Sequence, residues 1–341
     1  MLRVGIVGCG NIFTMHATSA HHLPNAQIVG VCDIKKDRAD KAAAKYGVQA
    51  YYDYKDMIRK DLLDVVHICV PHYLHLIISK YALEQGVNVL CEKPMAITME
   101  DALYNVKLAE EKGLKYGIIF QCRYNDSAKL VKENLENGEL GKIISARVTL
   151  TWSKPDTYYS LSDWKGTWEK EGGGVIIDQA IHSLDLANWF INDEIESVQA
   201  SMANRDHSIM EVDDTSEGFV RYKNGATLSF WAMNNYGFDD AIEVRLYCEN
   251  GKVVMDYDHA NIFFNDGRVL SIETKIDPDV VYEGGKDYWG FQHIREIADF
   301  YDCVENDREP PISGREALKI QKLICDIYAE GKKTFYHHNK K

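Results

Sequence analysis

Short runs of nearly uninterrupted Val and Ile alternate with helix-like stretches through the first third of this 341-residue chain. The apolar runs are residues 3–7, 27–32, 65–70, 88–91 and 115–120, and the helical stretches are about 37–46, 74–84 and 99–111. Strands that are hydrophobic on both faces belong inside a parallel sheet, and parallel strands need helical crossovers between them. Thr98 suits an N-cap and Gly113 a helix stop, which brackets the third helical stretch. The pattern predicts an α/β, doubly wound parallel sheet with ligands bound outside the carboxyl ends of its strands.

After about Gln121 the pattern changes. A helix is expected at 126–136 and a strand at 143–152, followed by an aromatic, Gly-rich and charged segment at 153–174 and a helix at 176–190. Strand candidates then follow at 197–203, 217–222, 227–231, 242–248, 252–256 and 261–264. Turn pairs such as Asn224-Gly225, Asn250-Gly251 and Asp266-Gly267 accompany them. Such spacing predicts hairpins in a large, mostly antiparallel open sheet covered by helices, an α+β domain. Helices at about 288–305 and 314–329 close the chain around Pro310-Pro311. The expected division is residues 1–121 and 122–341, two domains abutting across a cleft.

Composition removes several classes of function. A formal net charge of −13 disfavours a nucleic-acid or anionic-membrane surface. No apolar run reaches the roughly 18 residues of a membrane span, and the first strand begins too early for a secretion signal. The eight cysteines are scattered without a C-x-x-C pair, which fits reduced thiols in a cytoplasmic protein and no metal centre.

The first strand runs into Gly8-Cys9-Gly10-Asn11-Ile12-Phe13. In a dinucleotide-binding turn the first Gly makes the bend and the second lets a pyrophosphate approach the free N–H groups of a helix N-terminus. Alone, the motif also fits a tight strand-to-helix turn. Its context favours a nucleotide: Asp33 ends the second strand, where a carboxylate bonds ribose hydroxyls and repels a 2′-phosphate. NAD is therefore expected ahead of NADP, although Lys35 and Lys36 soften the discrimination. The expected cofactor contacts are Gly8, Gly10, Asn11, Ile12, Asp33, Pro71, His75, Glu92 and Lys93. His72 and His75 lack a third metal ligand in the sequence, so no metal is assigned to them.

Two further motifs carry chemistry. Glu92-Lys93-Pro94 ends a parallel strand, and an ammonium there could hydrogen-bond a reacting hydroxyl. Farther on, Gly172-Gly173-Gly174 precedes Asp178, His182 and Asp185, spaced i, i+4, i+7 as on one helix face. A His flanked by carboxylates can serve as a general acid or base near neutral pH.

The order and spacing of the Gly8–Gly10 turn, Glu92-Lys93-Pro94, the Gly run and Asp178-x-x-x-His182 resemble the Gfo/Idh/MocA family across essentially the whole chain. Phe13 departs from the family's usual small residue. The resemblance implies an N-terminal Rossmann domain and NAD-dependent hydride transfer at a secondary hydroxyl of a sugar, sugar derivative or polyol. It assigns Lys93, Asp178 and His182 to the catalytic group. His182 would be the proton acceptor, Lys93 would polarise the hydroxyl, and Asp178 would bind substrate or orient the base.

The segment Tyr158-Tyr159…Trp164-Lys165-Gly166-Thr167-Trp168 is similar to a stretch found in sugar-nucleotide dehydrogenases of the family. Aromatic rings among polar groups suit a pyranose, so Arg123, Tyr124, Tyr159, Trp164 and Trp168 are expected substrate contacts beside Asp178 and His182. The same aromatics could instead form a subunit interface. The resemblance also implies a homo-oligomer, dimer or tetramer, formed through the C-terminal sheet. Two alternatives share the scaffold: a non-catalytic sugar or nucleotide sensor, and a glycoside-cleaving enzyme that uses bound NAD transiently.

Overall fold

In the computed structural model, which describes residues 1–256, 258–275, 280–282 and 291–338, the Val- and Ile-rich runs all become strands. In chain order the elements are β1 (Leu2–Val7), α1 (Phe13–His22), β2 (Ala26–Cys32), α2 (Lys36–Tyr46), β3 (Gln49–Tyr51), α3 (Tyr54–Met57), β4 (Val65–Ile68), α4 (His72–Glu84), β5 (Asn88–Cys91), α5 (Met99–Lys112) and β6 (Tyr116–Ile118). The six strands pair in parallel in the order β3-β2-β1-β4-β5-β6. This doubly wound order reverses beside β1, where a dinucleotide site is expected. Strands β4 and β5 are buried at every residue, which is why they read as continuous apolar runs. The three half-buried or exposed residues of β3 carry no such run, and the sequence reading missed that strand.

The later elements are α6 (Asp126–Glu136), β7 (Ile143–Thr151), α7 (Asp156–Ser160), α8 (Ile181–Ile191), β8 (Ile195–Asn204), β9 (Thr215–Tyr222), β10 (Thr227–Met233), β11 (Glu243–Cys248), β12 (Gly251–Asp256), β13 (His259–Phe264) and β14 (Val269–Glu273). They are followed by α9 (His293–Glu305), α10 (Gly314–Gly331) and β15 (Tyr336–His337). Strands β7 to β15 form one nine-stranded sheet, ordered β14-β13-β12-β11-β7-β10-β9-β8-β15. Its pairings are antiparallel except for β10 with β7 and β15 with β8. Helices α6 and α8 lie against it at β7, β11, β13 and β14. Residues alternate inward and outward along β10: Leu228, Phe230 and Ala232 are buried and Trp231 is 42% exposed.

The expected single boundary needs correction. The chain divides into a unit of residues 1–121 plus the described part of 276–318, and a second of residues 122–275 plus the described part of 319–341. The first unit is therefore discontinuous. Ile297, Phe300 and Tyr301 of α9 join Val4, Ile6, Val31, Val65 and Leu90 in one core, each large side chain contributing about 1.5–3 kcal/mol by leaving water. The expected start of this helix near Tyr288 lies outside the described residues. Phe13 also joins that core, with its ring packed edge-to-face on Tyr46 of α2 at a centroid distance of 6.0 Å, so the bulky residue is accommodated.

Candidate active site

In the first unit the turn after β1 is shaped by close packing. Gly8 has φ +98°, and a Cβ there would lie 2.3 Å from the Cys69 carbonyl oxygen, so only Gly fits. Gly10 differs: a Cβ would meet nothing nearer than Arg38 Nη1 at 4.0 Å. Protein packing does not require the second glycine, whereas a close ligand backbone would. Helix α1 begins after Ile12 with no side-chain cap and no acidic residue in its first turn, so its N–H groups suit an anion. The Asp33 carboxylate accepts hydrogen bonds from the backbone N–H groups of Cys9 and Lys35, both at 2.8 Å. Asn11 is exposed, and Ile12 and Pro71 are half-buried. These groups fit a dinucleotide.

His75 and Glu92, expected at the cofactor, are engaged by protein groups. His75 is fully buried, with Nδ1 2.6 Å from the Pro94 carbonyl oxygen and Nε2 2.8 Å from that of Val70. It ties together the loops after β4 and β5, which position Pro71 and Lys93. Glu92 turns its carboxylate inward. His16 Nε2 lies 2.9 Å from its Oε1, His293 Nε2 lies 3.6 Å from the same atom, and the Lys93 N–H donates to Oε2 at 3.2 Å. Behind His16, its Nδ1 meets His67 Nδ1 at 3.0 Å, and His67 Nε2 meets the Tyr301 hydroxyl at 3.0 Å.

One proton arrangement satisfies this whole row. Tyr301 donates to His67, His67 to His16, and His16 to Glu92. Burial alone would raise Glu92, but hydrogen bonds and charge from His16 and His293 hold it well below the ordinary carboxylate range. Burial lowers His67 well below its usual value. Among the described residues, His16, Glu92 and His293 are the one group with metal-ligand spacing, a cluster that the sequence did not reveal because its members are far apart in the chain. Lys93 itself is half-buried at the head of this brace, and its peptide bond to Pro94 is cis.

In the second unit the Gly run forms a clasp. A Cβ on Gly174 would lie 1.9 Å from the Asp213 carbonyl oxygen, and the Asp213 carboxylate accepts from the N–H groups of Gly174 at 2.7 Å and Ile176 at 3.3 Å. The Tyr328 hydroxyl accepts from the Ile177 N–H at 3.2 Å. Burial raises Asp213 to about 7 against these donors. The clasp seats residues 176–180, which wind as one wide π turn before α8.

That turn overturns the expected stripe of Asp178, His182 and Asp185, which assumed a uniform helical pitch. The two acids hold separate cations. Arg123 grips Asp185 through two bonds of 2.6 and 2.7 Å, with both side chains buried. Asp178 Oδ2 accepts from Lys165 Nζ at 2.6 Å, the Tyr158 hydroxyl at 2.8 Å and Gln179 Nε2 at 2.7 Å. His182 follows within the first turn of α8 and is 6% exposed.

Several expected substrate contacts point elsewhere. Arg123 is engaged by Asp185. Tyr159 is buried, and its hydroxyl accepts from Asn234 Nδ2, which also donates to Gln179 Oε1. Trp168 packs edge-on against Tyr328 and Phe335, with Lys332 Nζ 4.2 Å from its ring centroid. Tyr124 is largely buried under Lys129. Trp164 is half-buried, with Lys165 Nζ 4.6 Å from its ring centroid. The neighbouring Tyr158 and Lys165, absent from the expected set, reach Asp178 along with Gln179. The charge and hydroxyl in that segment were the only signal available.

Residues 2–120 match the model of the GFO_IDH_MocA oxidoreductase family with NAD-binding Rossmann fold, and residues 128–254 match that of the GFO/IDH/MocA C-terminal domain. The D-glucoside 3-dehydrogenase of Escherichia coli is 29% identical, over 96% of this chain and 94% of that protein. The myo-inositol 2-dehydrogenase of Thermotoga maritima is 26% identical, over 92% of each. Among solved structures, the WlbA dehydrogenase of Bordetella pertussis in complex with NADH and UDP-GlcNAcA superimposes with a TM-score of 0.83. It is 27% identical and covers 97% of this chain and 96% of that one. Two family models in the expected order, over a doubly wound sheet and an open mixed sheet, place this chain in the GFO/IDH/MocA family of NAD-dependent oxidoreductases.

Proposed function

We propose that this oxidoreductase oxidises a secondary hydroxyl of a sugar, sugar derivative or polyol, reversibly and with NAD. The carrying observation is the clasped π turn, which presents Asp178 with a cation and His182 from consecutive turns. NAD, when bound, supplies the hydride acceptor. Gly8, Gly10, Asn11, Ile12 and Asp33 would hold it, with Pro71 beside them. Lys93 hydrogen-bonds the reacting hydroxyl and eases loss of its proton, and His182 accepts that proton. Asp178 and Trp164 bind the remaining hydroxyls and the C–H face of the ligand. Relatives named as dehydrogenases of a glucoside and an inositol, and one solved with UDP-GlcNAcA bound, support a polyhydroxyl substrate.

Self-association would use the open face of the large sheet, where Trp231, Phe219 and Tyr247 are exposed. None of the described helices is long and apolar enough to cross a membrane. The test is NADH formation from NAD across inositols, hexoses, glycosides, uronates and sugar nucleotides. Lys93→Ala and His182→Ala should each lower kcat/KM by about 10²–10⁴-fold. Tight NAD binding with no turnover on any of these compounds would defeat the proposal.

A further inference from the structure

We infer that Lys165 and Tyr158 act as positioning residues that hold Asp178 as an anion, while Asp178 and His182 keep the roles given above. This assignment rests on the dehydrogenase reading above. It adds two positioning side chains to the site.

One oxygen of Asp178 takes three donors, and one of them is an ammonium at 2.6 Å. A carboxylate so placed is stabilised in its charged form by both charge and hydrogen bonds. Protonation would set an acid hydrogen or a weakened acceptor against the lysine. Lys165 is itself fixed from several sides. Its ammonium lies 4.8 Å from the Tyr158 ring centroid and 4.6 Å from that of Trp164, and Glu171 Oε1 stands 3.4 Å behind it. The other Glu171 oxygen accepts from the Gly166 N–H at 2.5 Å, which fastens that acid to the backbone next to Lys165. Burial alone would lower the lysine, but Asp178, Tyr158 and Glu171 keep it above its ordinary value.

A second ion pair in the same unit supplies the control. Arg123 and Asp185 are 4% and 1% exposed, sealed from any ligand. Lys165 and Asp178 retain 15% and 10% exposure, so their pair has an accessible edge. A sealed pair serves the scaffold. An open one, beside a half-buried indole, offers a fixed acceptor to a hydroxyl without giving up its charge.

The experiment follows the carboxyl carbon of Asp178 by NMR in protein labelled at aspartate, with Asp178→Asn for assignment. Asp178 should remain ionised at every pH at which the protein stays folded. Lys165→Met should raise its titration by about one pH unit or more, and Lys165→Arg should restore it. In turnover, Lys165→Met should lower kcat/KM about 100-fold at the acid end of the profile and less at the alkaline end. NAD affinity should be unchanged. Tyr158→Phe should cost about 3- to 10-fold, with the acid limb moving upward by less than in Lys165→Met. Ordinary titration of Asp178 in the parent, or an unchanged titration in Lys165→Met, overturns the assignment. Lack of turnover in the parent overturns the dehydrogenase reading instead, and the NMR titration then decides this inference alone.

Discussion

The two units hold their buried carboxylates by different means. In the first, Glu92 is surrounded by imidazoles, and a row running from Tyr301 through His67 and His16 aims its dipoles at one oxygen. In the second, Asp178 and Asp185 each meet a full cation, Lys165 and Arg123. A row of aligned hydrogen bonds fixes a backbone turn. An ion pair fixes a side chain and leaves a strong local field. The first suits a strand end that must present Lys93; the second suits a helix start that must present an acid to a ligand.

Removing one partner from the sealed ion pair should break the comparison most sharply. Arg123→Met leaves Asp185 buried without its cation and should destabilise the protein by about 3–5 kcal/mol in urea unfolding. Arg123→Met with Asp185→Leu should recover most of that loss. A change in substrate preference at unchanged stability would restore Arg123 to the ligand site. The hydrogen-bonded row should be gentler. Tyr301→Phe removes its first donor and should cost about 1–3 kcal/mol, with kcat falling more than NAD affinity if the row reaches Lys93.

The subtlest contrast is in pH. Glu92 lies below its unfolded value, so its contribution is present above about pH 4.5 and is lost as pH falls through its folded value. Asp213 and Glu171 are raised by burial to about 7 and about 8. Their contribution is complete below the ordinary carboxylate range and is lost as pH rises through those values. Hydrogen exchange, corrected for intrinsic rates, should therefore show protection in the second unit declining from pH 5 to 8, while protection in the first unit rises toward neutral pH because burial keeps His67 and His75 below their usual values. Asp213→Asn should flatten that decline. Equal slopes in both units would erase the distinction.

Much of this was legible in the chain. Val65, Val66 and Ile68 announced a strand buried on both faces, and Gly8 and Gly10 announced a tight strand-to-helix turn. What escaped did so for physical reasons. An amphipathic helix such as α9 records that one face is buried, not which sheet buries it, so the return of Ile297, Phe300 and Tyr301 to the first unit left no mark. The stripe of Asp178, His182 and Asp185 failed because a π turn leaves no local sequence signature. Tyr158 and Tyr159 are adjacent and chemically identical, and in an irregular segment no periodicity tells which one faces inward. The histidine row joins residues 16, 67, 92, 293 and 301, and no local motif can reveal such a group.

The return of α9 also bears on how the protein is made. The core around β1 stays open until residues 293–305 have been synthesised, because Ile297, Phe300 and Tyr301 close it. Throughout translation the nascent nucleotide-binding sheet must wait, with part of its apolar surface uncovered, for the segment that seals it. The sheet that starts first is thus finished late, and its uncovered face is a surface for a chaperone to protect in the meantime.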